Sequence, residues 1–259
     1  MKTLSSLLAA AVIAALTASM PALAKDANVL RLGIDPTYPP MDVKMPDGTV
    51  TGFDVDLANE ICRRIAMHCQ WVEMEFSGMI PALQARKIDA IISSMAITEK
   101  RMQQIAFSTK LFQFKSRLIA KTGAPVTVSA EGLRGKRIGV QSGTQFETYA
   151  QKNWQPGGVE VVAYQSQEGV FEDLMAGRLH AALLGSVEAD NGFLKTPRGK
   201  GFGFVGGPLE MGDHGTGIGL RKDDVALKAS IDSAITGMRA DGTYQKIAHK
   251  YFDFDVYGN

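Results

Sequence analysis

The sequence has few residues that bind metals or act as nucleophiles in recognisable patterns, and this scarcity excludes several classes of site. Cys62 and Cys69 are the only cysteines among 259 residues, and the four histidines are scattered along the chain. No HExxH, Walker-loop or Gly-x-Ser-x-Gly pattern occurs. The sequence therefore indicates no zinc site, no nucleotide phosphate loop and no serine nucleophile, and we expect no cofactor.

An excess of charge of one sign is also missing. The chain has 28 Lys and Arg and 27 Asp and Glu, and Lys2 is the only one of these in the first 24 residues, which leaves 27 against 27. Nucleic-acid-binding proteins usually carry a basic excess, so this balance argues against a nucleic-acid partner. After those first residues, no stretch is long and apolar enough to cross a membrane.

The first 24 residues have the features of an export signal. Lys2 precedes an apolar stretch at 4–18, and Ala22-Leu23-Ala24 fits a small-x-small cleavage site. We expect cleavage after Ala24, and no cysteine near the cut offers a site for lipid attachment. The sequence thus predicts a soluble protein of the periplasm. In an exported protein an even number of cysteines indicates a disulfide, here between Cys62 and Cys69.

The apolar periodicity gives the same β-α-β-α-β order twice, which predicts two α/β lobes, each a mainly parallel sheet with flanking helices. A hairpin is also expected within 41–54. The predicted strands are 29–34, 70–76, 88–92, 137–140, 159–163 and 179–183, and the predicted helices are 53–65, 80–85, 144–153 and 168–176.

The second unit looks inserted into the first. Extended segments near 113–116 and 210–217 would join the lobes, and a strand at 216–221 with helices at 224–239 and 243–251 would complete the first lobe. Lobe one would then comprise 25–113 plus 215–259, and lobe two 117–209. A chain that crosses twice between lobes suits hinge closure around a ligand.

Ligands of open α/β sheets bind beyond the carboxyl ends of the strands, which selects the residues after each strand. Asp35, with Tyr38 and Phe76 as aromatic walls, suits a guanidinium or ammonium ligand. The plain alternative is a loop aspartate that satisfies backbone amides beside two core rings. The strand-end segments 93–96, 141–144 and 184–186 contain the further candidates Ser93, Ser94, Ala96, Gln141 and Gly185.

An anion could be held at the same edge. Arg101 opens a short predicted helix, and arginine binds carboxylates with two parallel hydrogen bonds. Thr144 begins a helix, whose free N–H groups attract anions. The alternatives are a surface charge and an ordinary N-cap. The dinucleotide-like run at 201–206 is followed by Gly207-Pro208 rather than a helix, so we dismiss it.

Four segments of the chain match a known family, and they are 51–57, 87–94, 97–101 and 251–258. Through them the chain resembles the periplasmic cationic amino-acid-binding proteins of ABC importers, the lysine/arginine/ornithine- and histidine-binding family, over nearly the whole mature length. The resemblance implies that Asp35 faces the ligand's side-chain cation and that Tyr38 and Phe76 sandwich its stem, and it places the disulfide at the two cysteines. The further contacts that it implies are Ser93 and Ser94 as polar groups and Arg101 and Thr144 on the α-carboxylate.

Two positions depart from the family pattern. The family usually has an aspartate for the ligand's α-ammonium where this chain has Gly185, and a serine or threonine where it has Ala96. Gly185 would open space beside the α-nitrogen, so an opine or another N-substituted basic amino acid is one hypothesis. The other is a site that repacks, with Ser186 or water as substitute, and still binds arginine, lysine, ornithine or histidine.

The resemblance implies capture of an amino acid, closure of the lobes, and delivery to an inner-membrane permease with its ATPase. We expect a monomer that is not an enzyme. A periplasmic cyclohexadienyl-dehydratase-like enzyme of similar fold is the alternative from another class. Beyond Asp35, the strand-end residues offer no second carboxylate for such chemistry, and assays with prephenate or arogenate would test it.

Overall fold

The computed structural model describes residues 28–258, so the predicted signal peptide lies outside the described residues. Within residues 28–258, thirteen strands form two five-stranded sheets and one small three-stranded sheet. In chain order the strands are β1 (Val29–Ile34), β2 (Thr37–Tyr38), β3 (Asp42–Lys44), β4 (Val50–Thr51), β5 (His68–Glu73), β6 (Ala90–Ile91), β7 (Ala106–Phe107), β8 (Ser116–Lys121), β9 (Arg137–Gln141), β10 (Glu160–Tyr164), β11 (Ala181–Gly185), β12 (Phe202–Leu209) and β13 (Gly219–Leu220).

The helices lie between these strands and after the last of them. Single turns of 3-10 helix follow β5 at Phe76–Gly78 and α4 at Gln155–Gly157. The α-helices are α1 (Phe53–Arg64), α2 (Met79–Gln84), α3 (Glu99–Met102), α4 (Gln145–Asn153), α5 (Gln167–Met175), α6 (Ser186–Ala189), α7 (Val225–Ala240) and α8 (Thr243–Ala248). In the part of the chain from 28 to 258, no helix has the length and apolar character needed to cross a bilayer.

The two large sheets share one plan. The first has the order β5-β1-β6-β13-β7 and the second β10-β9-β11-β8-β12. In each, four of the five strands run in one direction, and the fourth strand in the order, β13 or β8, runs antiparallel. The expectation of two mainly parallel sheets is confirmed. We call the first sheet with its helices lobe one, and the second sheet with its helices lobe two.

Each sheet is buried on both faces because helices pack on both sides of it. Successive side chains of a strand point to opposite faces, so neighbouring residues enter different clusters. On β11, Leu183 packs into the cluster that contains α4, whereas Leu184 packs into the cluster that contains α5. In lobe one, α1 contributes the fully buried Phe53 and Leu57 to one cluster, and α2 contributes Leu83 to another. The apolar stripe on the predicted helix at 53–65 is thus the buried face of α1.

The chain passes from lobe one to lobe two between β7 and β8 and returns between β12 and β13. The dinucleotide-like run at 201–206 lies on β12, an edge strand that pairs antiparallel with β8, and no helix follows it. The predicted disulfide is present: Cys62, near the end of α1, bonds to Cys69 at the start of β5.

Several predicted boundaries were wrong by a few residues. Strand β5 ends at Glu73, so Phe76 begins a 3-10 turn instead of ending a strand. Strand β6 comprises Ala90 and Ile91 alone, shorter than the predicted 88–92. The reason is that Ile88 and Ile92 owe their burial to packing against neighbouring elements, and apolar character alone does not reveal whether a residue pairs in the sheet.

Candidate functional site

Two adjoining cavities lie between the lobes at the carboxyl ends of the strands. Their volumes, counted with the solvent at their openings, are about 290 Å³ and about 360 Å³. We call them the Asp35 cavity and the Glu188 cavity, each after one acid that lines it, and they share Tyr38, Ser94, Gln145 and Phe146. The Asp35 cavity is also lined by Phe76, Ser93, Gln141 and Thr144, and the Glu188 cavity by Ala96, Phe112, Phe114, Ser116, Gly185, Asp213, Gly215 and Thr216.

Asp35 follows β1 and is 5% exposed. Its Oδ1 accepts a hydrogen bond from the Thr37 hydroxyl at 2.8 Å, and its Oδ2 accepts one from Gln141 Nε2, in the other lobe, at 2.7 Å. Burial raises the pKa of Asp35, and these hydrogen bonds offset part of the rise. Backbone N–H groups of Phe76 and Thr37 also donate to this carboxylate, so Asp35 is held by both lobes.

The hydroxyls of Ser93 and Ser94 are held by two carboxyl groups that the sequence analysis did not select. Ser93 donates to Asp42 Oδ2 at 2.9 Å and accepts from the Asp35 backbone N–H at 3.0 Å. Ser94 donates both its hydroxyl and its backbone N–H to Asp54 Oδ2. These bonds hold Ser94 at a left-handed φ of 49°, an uncommon conformation for a residue other than glycine. Both hydroxyl donors are therefore used within the protein.

Asp42 and Asp54 are fully buried, and one oxygen of each has no hydrogen-bond partner among the described residues. Burial raises the pKa of both carboxyls, and their mutual repulsion raises that of Asp42 further. The floor of the site therefore carries an acidic pair in addition to Asp35. Residues 28–258 contain no cluster of His, Cys, Asp and Glu that could hold a metal ion.

Arg101 does not line either cavity but lies directly behind them. Its guanidinium donates to the Ala96 carbonyl at 2.7 Å and, across the gap between the lobes, to the Gly143 carbonyl at 2.9 Å. It also lies over the Phe76 ring at 5.3 Å. Burial lowers its pKa to about 10, so the group stays charged at neutral pH. Since a guanidinium has five N–H donors, three remain for an anion.

The start of α4 joins the two lobes. Thr144 is the N-cap: its hydroxyl accepts from the Glu147 backbone N–H and donates to the Gln141 carbonyl. Gly143 has a left-handed φ of 77°, and a Cβ there would lie 2.8 Å from the Cα of Ser77 in lobe one. Only glycine satisfies both conditions. The close approach at Gly143 and its bond with Arg101 hold the lobes together here.

Gly185 is the last residue of β11, whereas the predicted strand ended at 183, and the open space expected beside Gly185 is absent. A Cβ built at Gly185 would lie 2.0 Å from Glu188 Oε2 and 3.3 Å from the Tyr38 hydroxyl. The Glu188 side chain, 3% exposed, thus occupies the space that a larger residue at 185 would need. Burial raises the pKa of Glu188 to about 8, and the Tyr38 hydroxyl lowers it in part.

The site is acidic, and its carboxyls other than Asp35 lie outside the strand-end segments from which the candidates were selected. Asp35, Asp213 and Glu188 line the cavities, Asp42 and Asp54 lie beneath them, and neither lining includes a lysine or an arginine. The sequence reading missed Glu188 because it considered strand-end residues only. Sequence spacing could have indicated Glu188, because residues three positions apart in a helical turn are neighbours and position 188 therefore lies close to position 185.

The strand-end segments contain no second carboxyl, as expected, although Asp213 and Glu188 also line the cavities, and the relatives of this chain are solute-binding proteins and not enzymes. Residues 30–254 match the bacterial extracellular solute-binding proteins, family 3. A lysine/arginine/ornithine-binding periplasmic protein of Escherichia coli (strain K12) is 48% identical over 98% of this chain and 99% of its own length. A histidine-binding periplasmic protein of the same organism is 46% identical over 97% of this chain and 98% of its own length.

A solved structure agrees with this likeness. An ancestral arginine-binding protein bound to arginine superimposes with a TM-score of 0.82 at 35% sequence identity, covering 87% of this chain and 98% of that one. The match extends over both sheets, since the covered share exceeds what either lobe alone comprises.

Proposed function

Because the chain belongs to family 3 of the bacterial extracellular solute-binding proteins, we propose that it captures a basic amino acid for an ABC importer. The ligand class is arginine, lysine, ornithine or histidine. The chain works in the periplasm after removal of residues 1–24. Its partners are an inner-membrane permease and the ATPase of that permease, and it acts as a monomer.

The observation that carries this proposal is the acidity of the space between the lobes. Carboxyls of Asp35 and Glu188 line adjoining cavities whose walls include Tyr38, Phe76 and Phe146, and the linings contain no lysine or arginine. An aliphatic chain with a cationic end suits such a space, because the carboxylates accept its hydrogen bonds and the ring faces attract its charge. A neutral or acidic ligand would supply no cation to offset the cost of ionising these buried carboxyls.

The roles follow from position. Asp35 accepts hydrogen bonds from the ligand's side-chain cation, with Gln141 as the group that orients it. Tyr38 and Phe76 cover the aliphatic stem. The remaining N–H donors of Arg101 and the start of α4 at Thr144 take the α-carboxylate. Ser93 and Ser94 contribute through their acceptor oxygens, since their donors are bound to Asp42 and Asp54, and Ala96 and Gly185 supply apolar lining.

Capture proceeds by closure of lobe one, 25–113 with 215–259, onto lobe two, 117–209. Ligand contacts to the second lobe favour the closed form, so ligand shifts the population toward it. In that form the Gln141–Asp35 and Arg101–Gly143 hydrogen bonds join the lobes. The closed surface is then the one that docks on the permease.

A thermal-shift screen of the mature protein, with calorimetry on the hits, tests the proposal. The ligands are arginine, lysine, ornithine and histidine, with octopine and nopaline as N-substituted compounds and glutamate as the acidic control. Ligand that binds the folded state raises the melting temperature by mass action. We expect the large shift from a free basic amino acid, because Glu188 fills the space beside Gly185. A large shift from glutamate or from the N-substituted compounds alone would contradict the proposal.

A further inference from the structure

Glu188 is a buried carboxyl that no group of the described chain neutralises. It lies in α6, directly after β11, and its side chain lines the larger cavity together with Tyr38, Ser94 and Thr216. The residue is 3% exposed, and its Oε2 has no hydrogen-bond partner among residues 28–258. Buried carboxyl oxygens are normally hydrogen-bonded, so an oxygen without a partner on a residue that lines a cavity points to a donor supplied from outside the chain.

The neighbouring glycine is part of the same arrangement. Gly185 has φ −67° and ψ 145°, a conformation that any residue adopts, so its backbone does not require glycine. Its lack of a side chain matters for space, because a Cβ would lie 2.0 Å from Glu188 Oε2 and 2.9 Å from Glu188 Cδ. Gly185 therefore allows the carboxyl to reach the cavity from the next turn of the chain.

The position of Arg101 indicates which part of a ligand meets Glu188. Arg101 lies at the junction of the two cavities: it donates to the carbonyl of Ala96, which lines only the Glu188 cavity, and lies over the ring of Phe76, which lines only the Asp35 cavity. In an amino acid the carboxylate and the ammonium are bonded to the same carbon. A carboxylate held by Arg101 at this junction leaves the α-ammonium beside the Glu188 cavity when the side-chain cation extends toward Asp35.

We propose that Glu188 is a ligand-binding residue, whose carboxylate accepts hydrogen bonds from the ligand's α-ammonium. This role rests on the proposed capture of a basic amino acid. The second lobe then binds the α-ammonium of the ligand through a glutamate within α6 and not through a residue at the end of β11. The pair Gly185 and Glu188 is the determinant that selects ligands with a free α-ammonium.

A double comparison of ligand and variant tests this role by calorimetry on the mature protein. The ligands are arginine and 5-guanidinopentanoate, which is arginine without its α-ammonium. The variant is Glu188→Gln, which keeps the shape of the side chain, and the matched control is Glu172→Gln, an exposed acid of the same lobe. A hydrogen bond to a charged group is worth about 1.5–3 kcal/mol, or about 10- to 150-fold in affinity.

We expect the wild type and the Glu172→Gln control to bind arginine about 10- to 150-fold more tightly than 5-guanidinopentanoate. In Glu188→Gln this preference falls to within about 3-fold, because only arginine loses a partner. Equal weakening of both ligands would overturn the proposal by making Glu188 structural, as would an unchanged preference. If the wild type binds no basic amino acid, the proposed function itself is refuted. The titration of the wild type alone shows this outcome, so it is distinguishable from failure of the role of Glu188.

Discussion

Replacement of Arg101 by lysine separates charge from geometry at the junction of the lobes. The Arg101 guanidinium donates to the Ala96 carbonyl of its own lobe and to the Gly143 carbonyl of the other, at 2.7 Å and 2.9 Å. Lysine keeps a positive charge, but its three N–H donors are all on one nitrogen and do not form a planar fork, so it cannot reach both carbonyls and a ligand carboxylate together. Burial would also lower the pKa of its ammonium.

The expected loss follows from the contacts. One hydrogen bond to a charged group is worth about 1.5–3 kcal/mol, so Arg101→Lys should weaken arginine binding about 10- to 150-fold. Arg101→Ala should weaken it further, because the ligand carboxylate loses its cation and the Gly143 carbonyl loses its donor. Calorimetric titration of the mature variants measures both dissociation constants. Arg63→Lys is the matched control, since Arg63 pairs with Glu60 on an exposed part of α1.

Scattering adds a second readout, because Arg101 also bridges the lobes. Saturating arginine should decrease the radius of gyration of the wild type, and the decrease should be smaller for Arg101→Ala. Arginine affinity within about 3-fold of wild type in Arg101→Lys, with the same decrease on ligand addition, would refute the reasoning, since it would show that a point charge suffices.

Three further outcomes are expected. Replacing both disulfide cysteines by serine should lower the unfolding free energy by about 2.5 kcal/mol, because the unfolded chain regains the entropy of the open loop. The melting temperature should fall, whereas the affinity for arginine should stay within about 3-fold of wild type. An unchanged melting temperature would contradict the stabilising role of the disulfide. Gly143→Ala and the control Gly123→Ala both place alanine at a left-handed φ, but only the Cβ at 143 would approach the other lobe, at 2.8 Å from the Cα of Ser77. Only Gly143→Ala should therefore weaken arginine binding measured by calorimetry. Equal affinities for the two variants would count against the close approach of the lobes at Gly143. Burial raises the pKa of Glu188 from its ordinary value of 4.5 to about 8. Between these two pH values the carboxyl keeps its proton in the folded protein but has lost it in the unfolded chain. The unfolding free energy of ligand-free protein should therefore fall as the pH rises through this interval. Denaturant titrations from pH 5 to 8 should show a shallower fall for Glu188→Gln, and identical slopes would refute the assignment.

The fold was largely predictable because its signals are local. Alternation of apolar residues gave the buried strands, the spacing of Phe53, Leu57 and Ile61 gave α1, and both recur in two units. The ends of elements were less predictable: Phe76 lies in a 3-10 turn, although its apolar character fits the strand before it. Strand pairing depends on neighbours distant in sequence, which a single segment does not contain.

The strand-end residues of the site were predictable from the sequence, but its other carboxyls were not. Asp35, Tyr38, Gln141 and the other strand-end residues converge because parallel strands bring their carboxyl ends to one edge. Asp54 did not stand out, since an acid in the first turn of a helix is common and its burial arises only when Ser94 packs over it. Glu188 was missed for the same reason, as its cavity exists only when the two lobes meet.

The space between the lobes should select a ligand with a positively charged side chain, and a comparison of arginine with citrulline measures that selectivity. Citrulline has nearly the shape of arginine but replaces the guanidinium by a neutral urea group. Calorimetric titration of the mature protein with both should give saturable arginine binding and citrulline binding that is at least about 10-fold weaker, the loss expected for one charge-assisted hydrogen bond. Citrulline that binds as tightly as arginine would contradict selection of a cation, and binding of neither ligand would contradict capture of a basic amino acid.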